Sequence, residues 1–193
     1  PHVEVGQDFT VFEFLHHLYK PLVYINEEKY REIVKIKPVA LNQGEERFIA
    51  DLKRYYEQNT AFFENRQLFL LRNMSRKGVG FFEANNFYPD FILWLGEGDM
   101  QYVAFIDPKG LRLVDGFTNP KVQFHKTIKT TIEPRLNDAE ISLSSFIVTP
   151  TSHAKIRFWK ADEPIEYFNT HNIYFQMEQK GYYVEAVLGK MIG

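Results

Sequence analysis

The sequence predicts an α/β fold, and three observations predict it. A strongly capped amphipathic helix opens at Asn42. Short apolar runs punctuated by Gly, Asn and Pro follow between residues 67 and 106. A second helix start, Asn119-Pro120, then leads to a further apolar run over 141–149. Helix, several strands, helix and strand is the order of a mixed α/β core.

Taken in chain order, Asp8 can cap a helix over "FTVFEFLHHLY", which Pro21 ends. Asn26 can cap a short second helix, "EEKYREIVK", and Pro38 breaks the chain again. Residues 1–41 are thus expected to form a helical lead-in. Asn42 followed three residues later by Glu45 makes the reciprocal capping pattern. Phe48, Ile49, Leu52, Tyr55 and Tyr56 then give that helix one apolar face.

Four strands are predicted next: "QLFLLR" (67–72), "GVGFFE" (78–83), "DFILWL" (90–95) and "QYVAFI" (101–106). "GEGD" (96–99) suits the turn of a hairpin joining the last two. Proline fits the first helical position, so Asn119-Pro120 starts a helix that runs toward Pro134. "ISLSSFIVT" (141–149) is a fifth strand, stopped by Pro150. The core is expected over 42–150, with 151–193 as a C-terminal extension packed on it. In that extension "IRFW" and "NIYFQM" suit strands, and "GYYVEAVLGKMI" suits either a helix or a strand.

Composition bounds the function. The chain of 193 residues is 45% apolar and 25% charged, ordinary values for a globular protein. It has no run approaching the roughly 18 apolar residues of a membrane span. It has no cysteine, which excludes disulfides and thiolate metal sites and fits a cytoplasmic location. The first residue is Pro1, which points to a processed chain or a piece of a longer protein. Net charge is −2, so no global basic signature of nucleic-acid binding exists. Basic residues do concentrate locally, at Arg66, Arg72, Arg76 and Lys77 and again from Lys109 to Arg135. No GxxxxGK[ST], GxSxG or HExxH motif occurs, and adjacent His16 and His17 point to different faces of a helix.

The chemistry-bearing residues are acids at strand ends. Asp90 starts one strand of the expected hairpin and Asp107 ends the other, so the two can be neighbours. Asp107 and Lys109 share parity along an extended chain and can face one cleft. A pair of carboxylates suits Mg²⁺, which keeps several waters. A nearby amine can neutralise charge that develops on a phosphoryl group. The same "DPKG" also suits a β-turn, with Asp first, Pro second and Gly fourth.

Pro89-Asp90 followed by Asp107-x-Lys109 resembles the PD-(D/E)xK nuclease signature. "EANNFYPDFILWL" followed by "VAFIDPKGL" resembles the C-terminal nuclease domain of type III restriction subunits and related restriction-type helicases. The resemblance is best over residues 42–150. It implies a restriction-endonuclease-like core, a central mixed sheet flanked by helices in αβββαβ order. It implies a Mg²⁺-dependent endodeoxyribonuclease, with Mn²⁺ able to substitute. Asp90 and Asp107 would then hold the metal, and Lys109 would position or activate the attacking water. Glu46, in preference to Glu45, would be the extra acid that many members carry on the helix. Lys126 and Lys129, on the helix that often faces the cleft, become candidates for phosphate contact, against the plainer reading of a solvated face. The implied partners are DNA and the helicase or ATPase domains of a parent protein, with a homodimer left open and no membrane. The alternative is a catalytically inactive nucleic-acid-binding or protein-interaction module on the same fold.

Overall fold

The computed structural model describes residues 40–73, 79–81, 87–109, 111, 114–156 and 163–193, together with the backbone of 3–4, 9–12 and 22–25. Near the start, β1 (Val3–Glu4), β2 (Phe9–Phe12) and β3 (Leu22–Ile25) form an antiparallel sheet in the order β1-β2-β3. This corrects the helix expected from Asp8 onward: Phe9–Phe12 is extended and pairs with Leu22–Ile25. Alternating Phe9 and Val11 satisfy a strand period as well as a helical one, and the pairing partner further along the chain decides between them. The helix expected over 27–35 lies outside the described residues.

Helix α1 spans Gln43–Gln58. Its capping box is complete: the Asn42 side chain accepts from the Glu45 N–H at 3.0 Å, and the Glu45 carboxylate accepts from the Asn42 N–H at 2.9 Å. Phe48, Ile49 and Leu52 are fully buried, with Tyr55 and Tyr56 packed at the edge of the same core.

Five strands make the central sheet in the order β4-β5-β6-β7-β8. They are β4 (Arg66–Arg72), β5 (Phe91–Glu97), β6 (Met100–Asp107), β7 (Ile141–Thr149) and β8 (Ile173–Phe175). β4, β5 and β6 are mutually antiparallel, whereas β6, β7 and β8 run parallel. The β5–β6 hairpin turns at Gly98, whose φ of +58° favours glycine. "GVGFFE" forms no strand among its described residues, only an isolated bridge between Phe81 and Phe87. A Cβ at Gly80 would lie 2.4 Å from the Tyr88 ring, so glycine permits this close approach.

The crossover from β6 to β7 is helical. α2 (Pro120–Thr127) is capped by Asn119 and continues through a π turn, Ile128–Ile132, into α3 (Glu133–Leu136). Pro134 has no N–H and its ring would clash one turn back, and the widened turn accommodates it. After a short helix, α4 (Ile165–Thr170), β8 joins the parallel edge and α5 (Tyr183–Ile192) closes the chain. "GYYVEAVLGKMI" is therefore helical from Tyr183, and "NIYFQM" is a strand only over Ile173–Phe175. Ile156 closes a short 3-10 turn, and the rest of "IRFW" lies outside the described residues.

Side chains alternate across the sheet. Leu68, Leu70, Leu93, Ile106 and Val148 face α1 and α5, meeting Phe48, Leu52, Tyr183 and Leu188 in one core. The opposite face packs Ile92, Phe105 and Leu143 against Phe124 and Ile128 of the crossover helix. Residues 151–193 thus supply a strand and a helix to the same sheet and core. Among the described residues no helix is long and apolar enough to cross a membrane.

Candidate functional site

The polar cluster sits where β5 begins and β6 ends. Phe91 pairs with Ile106 across the antiparallel ladder, so the next residues outward, Asp90 and Asp107, stand opposite each other. Asn73 holds the entering chain. Its N–H donates to the Asp90 carbonyl at 2.8 Å, and its Nδ2 donates to the Pro89 carbonyl at 2.8 Å and the Val79 carbonyl at 2.7 Å. Pro89 and Asp90 therefore have a backbone position fixed from β4.

Asp107 is 3% exposed. Burial pushes its carboxyl well above the ordinary 3.8. The Asp90 charge and a carboxyl–carboxyl hydrogen bond push the same way, while Lys109 and Lys121 oppose. Lys109 Nζ lies 3.8 Å from Asp107 Oδ1, an ion-pair distance beyond hydrogen-bond reach. Asp107 Oδ1 and Asp90 Oδ2 are both buried with no donor among the described residues. A proton shared between the acids, an ordered water or a bound cation satisfies such oxygens.

Pro108 follows the end of β6, so the missing N–H costs the ladder nothing. Its carbonyl packs against Gly44 at the start of α1, where a Cβ would stand 2.8 Å from that oxygen and 3.1 Å from Pro150 Cγ. Glycine permits this approach, and it brings the first turn of α1 against the Asp107–Lys109 segment.

That contact decides which helix acid joins the cluster. Glu45 is buried, and its carboxylate takes the Asn42 N–H and Arg72 Nη2, the latter at 3.2 Å. Burial raises its pKa most; Asn42 and Arg72 counter this, and the charges of Asp90 and Lys109 are also felt. Glu46 is raised by burial too, but the charges around it are Arg47 and Asp51. The structure thus brings Glu45, and not the preferred Glu46, to Asp90 and Lys109. Glu45 carries both roles because an acid at the third helical position reaches back toward the helix start, where the strand ends lie.

The lysines are redistributed as well. Lys129 donates to Glu133 Oε2 and to Ser142 Oγ, both at 2.8 Å, and so ties the π turn to β7. Lys126 is exposed. The crossover-helix lysine whose charge reaches Asp107 is Lys121, on the first turn of α2. Sequence reading missed Lys121 and Asn73; the turn that starts at Asn119 was the available signal for the first. His125 faces His171 instead, with ring centroids 5.5 Å apart, and burial lowers its pKa.

The donor set fits a divalent cation in a limited way. Two adjacent carboxylates with unsatisfied oxygens suit Mg²⁺ completed by water and substrate. Among the described residues no group of three or more acids and histidines is placed to hold a metal. Glu45, the third acid nearby, is already engaged by Asn42 and Arg72. Asp90 and Asp107 are the residues that could hold a cation, and they lie beside a half-exposed ammonium. Comparison with known proteins adds no relative: no family model, curated protein or solved structure matches this chain.

Proposed function

We propose that the chain is a metal-dependent endonuclease domain that hydrolyses DNA phosphodiester bonds. One observation carries the reading: Asp90, Asp107 and Lys109 converge at one end of the sheet, and each acid keeps a buried oxygen without a donor. The order of α1, β4, β5, β6, α2 and β7 supports assigning the sheet to the restriction-endonuclease-like class. Asp90 and Asp107 would hold Mg²⁺ or Mn²⁺. Such an ion supplies a Lewis acid and a bound water of lowered pKa. Lys109 Nζ would donate to the attacking water or to a non-bridging phosphoryl oxygen and offset charge building there. Arg72 keeps Glu45 neutralised, so the pair Asp90–Asp107 is left as the anionic centre. DNA as partner, a cytoplasmic location and work within a larger restriction or helicase-type protein belong to the same reading. Partner domains holding the DNA would account for the weak net charge.

The test is cleavage of plasmid and single-stranded DNA with Mg²⁺ or Mn²⁺ by wild type, Asp90→Ala and Lys109→Ala. The expected loss in each variant is about 100-fold or more. Cutting by wild type no faster than by the folded variants, with its parent protein added, would overturn the reading. The absence of a third free acid at the site, among the described residues, favours one second reading: an inactive DNA-binding module on this fold. It predicts salt-dependent binding without metal-dependent cleavage.

A further inference from the structure

The first turn of α1 has different neighbours on its two faces. Glu45 faces the carboxylate cluster. Gln43 and Arg47, one turn apart, share a face displaced by roughly 200° from Glu45. They border an open pocket of about 500 Å³ completed by Pro150, Thr151, Ser152, Lys155 and Met177. Gly44 lies between these residues on the helix, and a Cβ there would meet both the Pro108 carbonyl and the Pro150 ring. The floor is joined to the catalytic segment, because the Leu111 N–H donates to Thr151 Oγ1 at 3.3 Å.

The chemistry of this pocket is that of an anion site. Among the described residues two cations line it and no carboxylate does. Arg47 Nη1 meets Met177 Sδ at 2.8 Å, and a thioether is a weak acceptor that leaves the rest of the guanidinium fork for a ligand. The charge next to Arg47 is Glu46. Glu178, next to Met177 in the chain, accepts from the His153 N–H at 2.7 Å. Lys155 is exposed and Ser152 half-buried, so both are reachable from solvent. A guanidinium fork, an ammonium and a hydroxyl in an open pocket suit a phosphodiester better than a compact small molecule.

We propose that this pocket seats a backbone phosphate of the DNA that the Asp90–Asp107 site cuts, with Arg47 and Lys155 as its binding residues. This rests on the nuclease reading. It assigns Arg47 and Lys155 to positioning of the strand, with no contact to the reacting atoms.

The experiment measures binding of a fluorescein-labelled DNA duplex by anisotropy, without metal, from low to moderate salt. The Arg47→Gln/Lys155→Gln variant is compared with Lys53→Gln/Arg135→Gln, which removes the same charge elsewhere; Arg135 lies near the β7 start, at the far end of the sheet. The pocket variant is expected to bind about 10-fold more weakly and to lower the salt slope by about 1 to 2, with the control close to wild type. Lys155→Gln alone, at an exposed position, should carry part of the loss while its melting curve is unchanged. Equal losses in pocket and control variants overturn the proposal while leaving the nuclease reading intact. Wild type that binds DNA but cannot cut it overturns the nuclease reading, and the variants still decide the phosphate seat. Wild type that binds no DNA overturns the phosphate seat, while cleavage with the parent protein added still decides the nuclease reading.

Discussion

Asp51 on α1 and Asp107 at the end of β6 are both buried acids, at 6% and 3% exposure. Asp51 is satisfied. Arg54 Nη1 donates to its Oδ1 at 3.0 Å and the Tyr183 hydroxyl to its Oδ2 at 2.9 Å, tying α1 to α5. Asp107 faces another acid, has an ammonium 3.8 Å away, and keeps an oxygen with no donor. The first arrangement is what folding alone requires of a buried carboxylate. The second costs stability in the metal-free protein, and that contrast is what the proposed cation site rests on.

The sharpest way to break this comparison is to neutralise each acid in turn. Asp51→Asn should cost about 2 kcal/mol, because Arg54 loses a charged acceptor and the α1–α5 tie weakens. Asp107→Asn should leave the metal-free protein as stable as wild type or more so, since it removes a buried like-charge contact. Chemical denaturation of both variants checks the pair. Equal destabilisation would mean that Asp107 is a structural acid like Asp51.

A somewhat smaller effect is expected at Gly44. Gly44→Ala must displace either the Pro108 carbonyl or the Pro150 ring. Overpacking of this kind costs about 1 kcal/mol or more. Because it moves the Asp107–Lys109 segment, cleavage should fall further than the stability loss explains. Unchanged cleavage in a destabilised Gly44→Ala protein would separate the helix start from the site.

The smallest effect concerns pH. Burial, then the Asp51 charge and the hydrogen bond to it, push the Tyr183 phenol well above the ordinary 10.0. The folded state thus keeps this proton where the unfolded chain releases it. Its contribution is fully present below pH 10.0 and is lost as pH rises beyond that toward the folded value. Stability of wild type should decline above that pH more steeply than that of Tyr183→Phe. Parallel profiles would show that the phenol is not held by Asp51.

Much of this was legible in the sequence where the signal is local. The Asn42–Glu45 cap, the Asn119-Pro120 start and the β5–β6 hairpin depend on neighbours a few residues apart. Asp90 beside Asp107 was legible too, because hairpin register follows from the turn. What failed depends on packing. Phe9–Phe12 is a strand because Leu22–Ile25 pairs with it. Glu45 displaced Glu46 because Gly44 lets α1 press against Pro108, a contact between residues far apart in sequence. Lys129 was a candidate phosphate contact, yet Glu133 and Ser142 hold it. Charge in sequence does not reveal which charges are already spent inside the fold.

The central claim is that the Asp90–Asp107 pair seats a divalent cation. Titrating Mn²⁺ into the metal-free protein by calorimetry tests it most directly. One site is expected in wild type, and no site in a folded Asp107→Asn protein. No heat of binding in wild type, or equal binding by Asp107→Asn, would contradict it.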